Sequence, residues 1–186
     1  MKNLNLILLL LLFYITSCTD VKFETSQPKD GKELDIIPKS MRGVYIADKD
    51  YDTLKVYDKS FHLGNNASAF YVVDKILDKS NVVLKPYNDY FVLSLKNNGY
   101  WESVLIKQKD NKLITNTFNL ITKSMSLTNG SGDSLLNILK EITKVKEIFK
   151  KDSTVYYLLI NPTNEEFNKI VKKGFFKDTI VFTKIK

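Results

Sequence analysis

Short apolar runs separated by polar turns fill the middle of the chain and follow the two-residue period of β-strands. In residues 91–96 larger apolar side chains alternate with Val, Ser and Lys, so one face of this strand is predicted to be the more buried. The Asn98-Gly99 pair between two such runs favours a tight hairpin, because both residues tolerate positive φ. The pattern predicts an antiparallel meander with strands at residues 43–47, 53–57, 69–77, 81–85, 90–96, 100–108 and 112–120.

The last third of the chain changes period and predicts helices. Apolar residues recur every three or four positions between residues 134 and 150, as on one face of a helix. Thr163 and Glu166 have the spacing of a capping box, and Gly174 suits the position after a helix end. Strands are predicted at residues 154–160 and 179–185. With the helix between them they form either a right-handed crossover or a helix laid across a sheet or barrel edge.

These elements predict an α+β fold, a mainly antiparallel β meander or barrel-like sheet with two helices near the C-terminus. A content of 44% hydrophobic and 12% aromatic residues is typical of a folded domain and of strands rich in aromatic side chains. The length of 186 residues favours one domain, which we place at residues 37–186.

The N-terminus is the one strongly apolar stretch of the chain. Lys2 precedes a run from Leu4 to Ile15 that only Asn5 interrupts. This run is shorter than the ~20 residues that a membrane-spanning helix needs. A basic start, a short apolar region and small residues at its end predict a secretory signal peptide over residues 1–17.

The residues that end this stretch, Ile15-Thr16-Ser17-Cys18, resemble the lipobox of bacterial lipoproteins. The resemblance implies cleavage between Ser17 and Cys18, a diacylglycerol on the Cys18 thiol, and fatty-acyl chains such as palmitate at the membrane. Two or more acyl chains hold a protein stably to a bilayer, at ~0.8 kcal/mol per buried CH₂. The alternative is an ordinary secretory signal followed by a free cysteine. Residues 18–36 are then predicted to be a lipidated start and a flexible tether, unless Val21-Lys22-Phe23 docks as an edge strand.

Charge and rare residues limit the classes of function. The net charge of +7 comes from lysines interleaved with acidic residues and a single arginine, Arg42, so we predict no nucleic-acid partner. One cysteine excludes an internal disulfide, and one histidine, His62, excludes paired-histidine metal motifs. We expect no cofactor and no enzymatic activity, because no nucleophile-elbow or phosphate-loop motif accompanies His62.

Two constellations nevertheless raise chemical hypotheses. Asp48, Asp50 and Asp52 alternate like the start of a calcium-binding EF-hand loop, but Thr53 and Lys59 stand where that loop needs glycine and glutamate. An acidic, solvated hairpin tip is the other interpretation. Tyr100 and Trp101 could line a ligand cavity, although a single tryptophan in a β-domain is more often part of the core.

Four short motifs resemble the O-glycosylation acceptor of Bacteroidetes-type bacteria, in which Asp precedes a hydroxyl residue and then an apolar residue or threonine. The candidate acceptors are Thr53, Ser134, Ser153 and Thr179. The same residues also suit helix caps and strand starts. The chain beyond residue 18 further resembles small uncharacterised lipoproteins of those bacteria, at Ile37-Pro38, Gly43-Val44-Tyr45, Asp52-Thr53-Leu54, Gly99-Tyr100-Trp101-Glu102, Asn161-Pro162-Thr163, Glu166-Phe167 and Phe175-Phe176.

These observations predict a cell-envelope lipoprotein, held to a bacterial membrane through lipid on Cys18, with the outer membrane favoured over the inner. Its domain is expected to bind a protein partner of the envelope without catalysis. The alternatives are a lipocalin-like carrier of a small apolar ligand, suggested by the aromatic strands and Trp101, and an envelope hydrolase that uses His62.

Overall fold

The computed structural model describes residues 20–49, 52–64, 75–120, 131–149 and 155–186. The predicted signal peptide, Ser17, Cys18, Asp50 and Ser153 lie outside these residues. The strands are β1 (Asp20–Phe23), β2 (Gly43–Ala47), β3 (Thr53–Val56), β4 (Ser60–Leu63), β5 (Lys75–Ile76), β6 (Val82–Tyr87), β7 (Tyr90–Asn97), β8 (Tyr100–Lys109), β9 (Lys112–Phe118), β10 (Val145–Phe149), β11 (Val155–Ile160) and β12 (Phe176–Lys184). The helices are α1 (Ser131–Ile142) and α2 (Asn164–Lys172).

All these strands belong to one sheet of 12 strands, which is not closed into a barrel. The main path runs β10-β11-β1-β8-β9-β12-β2-β3-β4-β5, and β7 and β6 extend from the other side of β8. The sheet forks at β8, because Trp101 pairs with β1 whereas Val104 and the residues after it pair with β9. The predicted α+β class and antiparallel meander are confirmed, and the open form of the sheet replaces the barrel-like one.

The strands β6, β7 and β8 are buried on both faces. Alternate residues of these strands, such as Leu84 and Leu93, pack against β2, β3, β4 and β12 in a first core. The residues between them, such as Val83 and Val92, face a second core with the two helices. The side chains alternate because successive residues of a strand point to opposite faces. The molecule therefore has a β-layer on one side of β6–β8 and a helical layer on the other.

Aromatic rings fill the second core. Phe118 stacks on Phe175 at a centroid distance of 5.5 Å and meets Phe176 edge to face at 5.3 Å. Phe167 of α2 meets Tyr87 at 5.3 Å and Phe23 at 6.3 Å, again edge to face. Such pairs contribute roughly 0.5–1.5 kcal/mol beyond the area that they bury.

The N-terminal segment is part of the domain from Asp20 onward, which corrects the predicted tether. β1 lies between β11, to which it is parallel, and β8, to which it is antiparallel. Phe23 is fully buried, and Lys22 Nζ lies 2.8 Å from Glu102 Oε1. The docked strand that we considered as the alternative is therefore observed, in an interior position of the sheet. An aromatic ring that can fill a helix–sheet core explains why this polar stretch docks.

The predicted helix at residues 134–150 is corrected at its C-terminal end. α1 ends at Ile142, and Val145–Phe149 form β10, paired antiparallel with β11. Thr143 fixes this boundary, because its amide donates to Leu139 O and its hydroxyl to Glu166 Oε2, at 3.0 and 3.2 Å. Valine, isoleucine and phenylalanine favour strands once a partner strand is available, so tertiary pairing overrides the helical period here.

Other local predictions are confirmed. Asn98 and Gly99 both have positive φ, 50° and 86°, between β7 and β8. The capping box of Thr163 and Glu166 is present at the start of α2, and Gly174 follows its end with a φ of 75°. The right-handed crossover is not formed, because β11 and β12 run in opposite directions: β1 is parallel to β11, and the pairings from β1 through β8 and β9 to β12 are all antiparallel. The strand Ser60–Leu63 has no counterpart among the predicted elements.

The position of Phe23 predicts that the N-terminal strand stabilises the whole domain. Substitution Phe23→Ala removes a buried ring that contacts Phe118 and Phe167, so we expect a loss of about 3–5 kcal/mol in the free energy of unfolding. Urea denaturation of the substituted and parent proteins measures this loss. Asp20→Ala is the control, because the exposed Asp20 lies on the same strand and should change stability by less than about 0.5 kcal/mol. A flexible tether would give equally small effects for both substitutions.

Candidate functional site

Exposed apolar side chains mark the most distinctive surface of the domain. Ile36, Tyr57, Ile76 and Ile185 are each 49–59% exposed. Large apolar side chains that are grouped on a surface are typical of sites that contact another molecule. We call these four residues the apolar end surface.

Backbone hydrogen bonds bring the four residues to the same end of neighbouring strands. The turn between β3 and β4 begins at Tyr57, and its Asp58 carbonyl accepts from the Ile37 amide at 2.7 Å, next to Ile36. Ile76 pairs with Ser60, where this turn ends. The amide of Ile185 donates to Val44 O at 2.8 Å, and Val44 pairs with β3. The sheet register therefore collects residues that are far apart in sequence.

Gly43 is required for the close approach of strands below this surface. A Cβ on Gly43 would lie 2.3 Å from the carbonyl oxygen of Lys186, and its φ of +144° is one that side chains rarely adopt. The end of β12 can therefore lie against the start of β2, which positions Ile185 beside Val44, at the same end of the sheet as the β3–β4 turn.

His62 lies beside this surface. Its Nε2 is 3.1 Å from the hydroxyl oxygen of Ser60, and its ring meets the ring of Tyr57 edge to face at 5.1 Å. A serine hydroxyl within hydrogen-bond reach of an imidazole is one part of a nucleophilic site. The hydrogen bond between Ser60 and His62 can equally fix the imidazole ring, and this ring then holds Tyr57 in one orientation at the surface.

Asp48 and Asp52 occupy different environments. Asp48 is exposed and accepts from the Thr183 hydroxyl at 3.2 Å, whereas Asp52 is buried. In the described part of the chain, no three residues among His, Cys, Asp and Glu are grouped so that they could hold a metal ion. The exposed Asp48 matches the solvated hairpin-tip interpretation, whereas the buried Asp52 does not, and Asp50 lies outside the described residues.

Trp101 is a core residue. It is 9% exposed, belongs to the second core, and has the Lys96 ammonium 5.6 Å from its ring centroid. The ring of the half-buried Tyr100 lies 5.2 Å from the ring of Tyr157. These contacts favour the core interpretation over a ligand-lining role for Trp101.

The candidate glycosylation residues are dispersed. Thr53 begins β3 and is half-buried, whereas Thr179 is exposed on β12 and accepts from Asn116 Nδ2 at 2.6 Å. Ser134 lies in α1, near the start of the helix. Thr179 is therefore more exposed than Thr53.

A buried lysine forms the most unusual polar site of the interior. Lys85 is almost completely buried, and its Nζ donates to the carbonyl oxygens of Ser26, Pro28 and Lys29 at 3.1–3.5 Å. Glu33 Oε1 lies 3.9 Å from the same nitrogen. Burial lowers the pKa of Lys85, while Glu33 acts in the opposite direction. The ammonium group holds the segment after β1 on the face of the central strands.

Serine hydroxyls continue this polar site. Ser94 Oγ accepts from the Gln27 amide at 3.1 Å and lies 3.2 Å from Ser103 Oγ. All three residues are buried. This cluster was not predicted from the sequence, because Lys85, Ser94 and Ser103 are spaced like ordinary outward-facing strand positions. Polar residues in strands that are otherwise apolar were the only signal.

The lowered pKa of Lys85 predicts a pH dependence of stability. The unfolded state binds the proton more tightly, so the free energy of unfolding should rise with pH between the lowered pKa of the folded state and the ordinary lysine pKa of 10.5. Lys85→Met removes the titrating amine, so it should abolish this rise of stability with pH. We expect the difference in the free energy of unfolding between the parent and Lys85→Met to grow in favour of the parent above neutral pH. Denaturant titrations across this range measure it, and a difference that shrinks with rising pH would contradict the sign.

The described residues contain no helix that is both long and apolar enough to cross a membrane. Comparison with known protein families, curated proteins and solved structures finds no match to this chain. The function is therefore inferred from the residues and their geometry.

Proposed function

We propose that this protein is a cell-envelope lipoprotein whose domain binds a protein partner without catalysis. Lipid on Cys18 attaches it to a bacterial membrane, with the outer membrane favoured over the inner. The lipobox-like residues before Cys18 support the attachment. The apolar end surface is the observation that supports the binding role, because it exposes four large apolar side chains at one end of neighbouring strands that include the edge strand β5.

The edge strand beside this surface could also bind a partner through backbone hydrogen bonds. β5 is the last strand of the sheet path, and among the described residues it pairs with β4 alone. An extended partner segment can add to such an edge through main-chain hydrogen bonds, while apolar side chains supply contact area. Lys59 and Asp58 are exposed within the adjoining turn and provide the mixed charge that is typical of an interface rim.

A hydrolase is the second candidate function, and the Ser60–His62 pair is the observation that favours it. In this function His62 would accept the proton of the Ser60 hydroxyl as that oxygen attacks an acyl carbon. His62→Ala distinguishes the two proposals: it should abolish a hydrolase activity, whereas partner binding depends on the apolar residues. The carrier hypothesis has less support, since the sheet is open and Trp101 is in the core.

The anchor is tested by metabolic labelling with a clickable fatty-acid analogue. We expect label on the parent protein and none on Cys18→Ala, which also should not be cut between Ser17 and Cys18. Mass spectrometry of the N-terminal peptide identifies the modified atom. An unlabelled parent protein with a free Cys18 thiol would show an ordinary secretory signal.

The binding surface is tested by crosslinking in intact cells, followed by purification. We expect a consistent crosslinked protein with the parent and at least about a tenfold weaker yield with Tyr57→Ser/Ile76→Ser, because apolar anchors dominate such interfaces. Lys177→Ser is the control, since Lys177 is exposed and lies at the start of β12, the end of that strand opposite Ile185. Recovery of the free protein alone, or equal yields from the two variants, would contradict the proposal.

A further inference from the structure

The distance between the predicted lipid site and the folded sheet is very short. β1 starts at Asp20, so Thr19 is the only residue between it and Cys18. Two residue steps of fully extended chain span at most ~7 Å. A flexible tether of 18 residues would instead average roughly 23 Å between its ends.

The start of β1 is firmly attached to the domain. Asp20 pairs with Tyr157 of β11, and Phe23 is fully buried at the end of the strand. Releasing β1 to lengthen the anchor would expose the ring of Phe23 and separate Lys22 from Glu102. The connection between Cys18 and the sheet therefore cannot lengthen unless part of the sheet unfolds.

The strand register places Phe149 near Asp20, the first residue of β1. Phe149 pairs with Val155, which is two residues before the Tyr157 that pairs with Asp20. Since β1 and β11 are parallel, Phe149 is displaced towards the side from which the chain enters β1. Two strand spacings and two residue steps place the Phe149 backbone about 12 Å from Asp20.

Phe149 is also exposed, and it does not belong to the apolar end surface. Its side chain is 55% exposed and is the one large, exposed apolar side chain of the described residues outside that surface. An aromatic ring close to an acylated residue is suited to the interface between headgroups and acyl chains.

We propose that the end of the sheet formed by the start of β1 and by Phe149 lies directly on the lipid bilayer, with the Phe149 ring in the interfacial layer. The inference rests on the proposed lipidation of Cys18 and adds a fixed orientation to it. The short connection prevents the domain from moving freely above the membrane, and Phe149 supplies a second point of contact. The domain is thus oriented by its own β-sheet.

The experiment uses the acylated full-length protein in vesicles whose acyl chains carry bromine, which quenches tryptophan fluorescence at short range. Phe149→Trp reports on the proposed contact. Asn97→Trp is the matched control, because Asn97 is exposed and pairs with Tyr100, beyond the Phe23 end of β1. Both are compared with the parent, whose Trp101 is buried.

We expect bromolipids to quench the added tryptophan at least about twofold more strongly in Phe149→Trp than in Asn97→Trp, since interfacial groups lie within ~5–10 Å of the acyl boundary. Insertion of twelve Gly/Ser residues between Thr19 and Asp20 adds a flexible coil of roughly 19 Å. With this insertion, bromolipids should quench Phe149→Trp and Asn97→Trp equally. Equal quenching without the insertion, in protein whose Cys18 carries fatty-acid label, would overturn the orientation and leave the lipoprotein proposal intact. Absence of the label would overturn both.

Discussion

Burial of β6, β7 and β8 on both faces is the constraint on which the other elements depend. Apart from Lys85, Ser94 and Ser103, most buried positions on both faces of these strands are apolar, so neither face can be left to water without a large cost in free energy. The outer strands β2–β4 and β12 cover one face, and α1 and α2 cover the other. The fork of the sheet at β8 makes this possible, because two sets of strands continue from the same edge in different directions.

The segment after β1 illustrates how a polar stretch becomes structural. Phe23 contributes its ring to the helical core, and the following carbonyl groups of Ser26, Pro28 and Lys29 bind the buried ammonium of Lys85. A buried ammonium group is costly unless its donors are satisfied, so the segment and Lys85 require each other. This mutual dependence turns a predicted tether into a cover over the central strands.

Local rules predicted those parts of the fold that neighbouring residues decide. The Asn98-Gly99 turn and the Thr163–Glu166 capping box depend on backbone geometry within a few residues, and both were found as predicted. Residues 145–149 were mispredicted because Val145 and Phe149 continue the helical stripe as well as they suit a strand. Pairing with β11 decides between helix and strand for this segment, because the edge of β11 offers backbone hydrogen-bonding groups. The apolar end surface could not be predicted at all, since Ile36, Tyr57, Ile76 and Ile185 are brought together only by the strand order.

The sequence by itself determined the α+β class, the meander from β6 to β9 and the second helix. These features follow from residue period, turn chemistry and a contiguous motif, which neighbouring residues specify. The tertiary structure alone decided that the sheet is open and forked, that β1 lies inside it, and that Phe149 and the apolar end surface are exposed. Those outcomes depend on which strands compete for the same edges and on how much apolar area each arrangement buries, and both quantities belong to the folded chain as a whole.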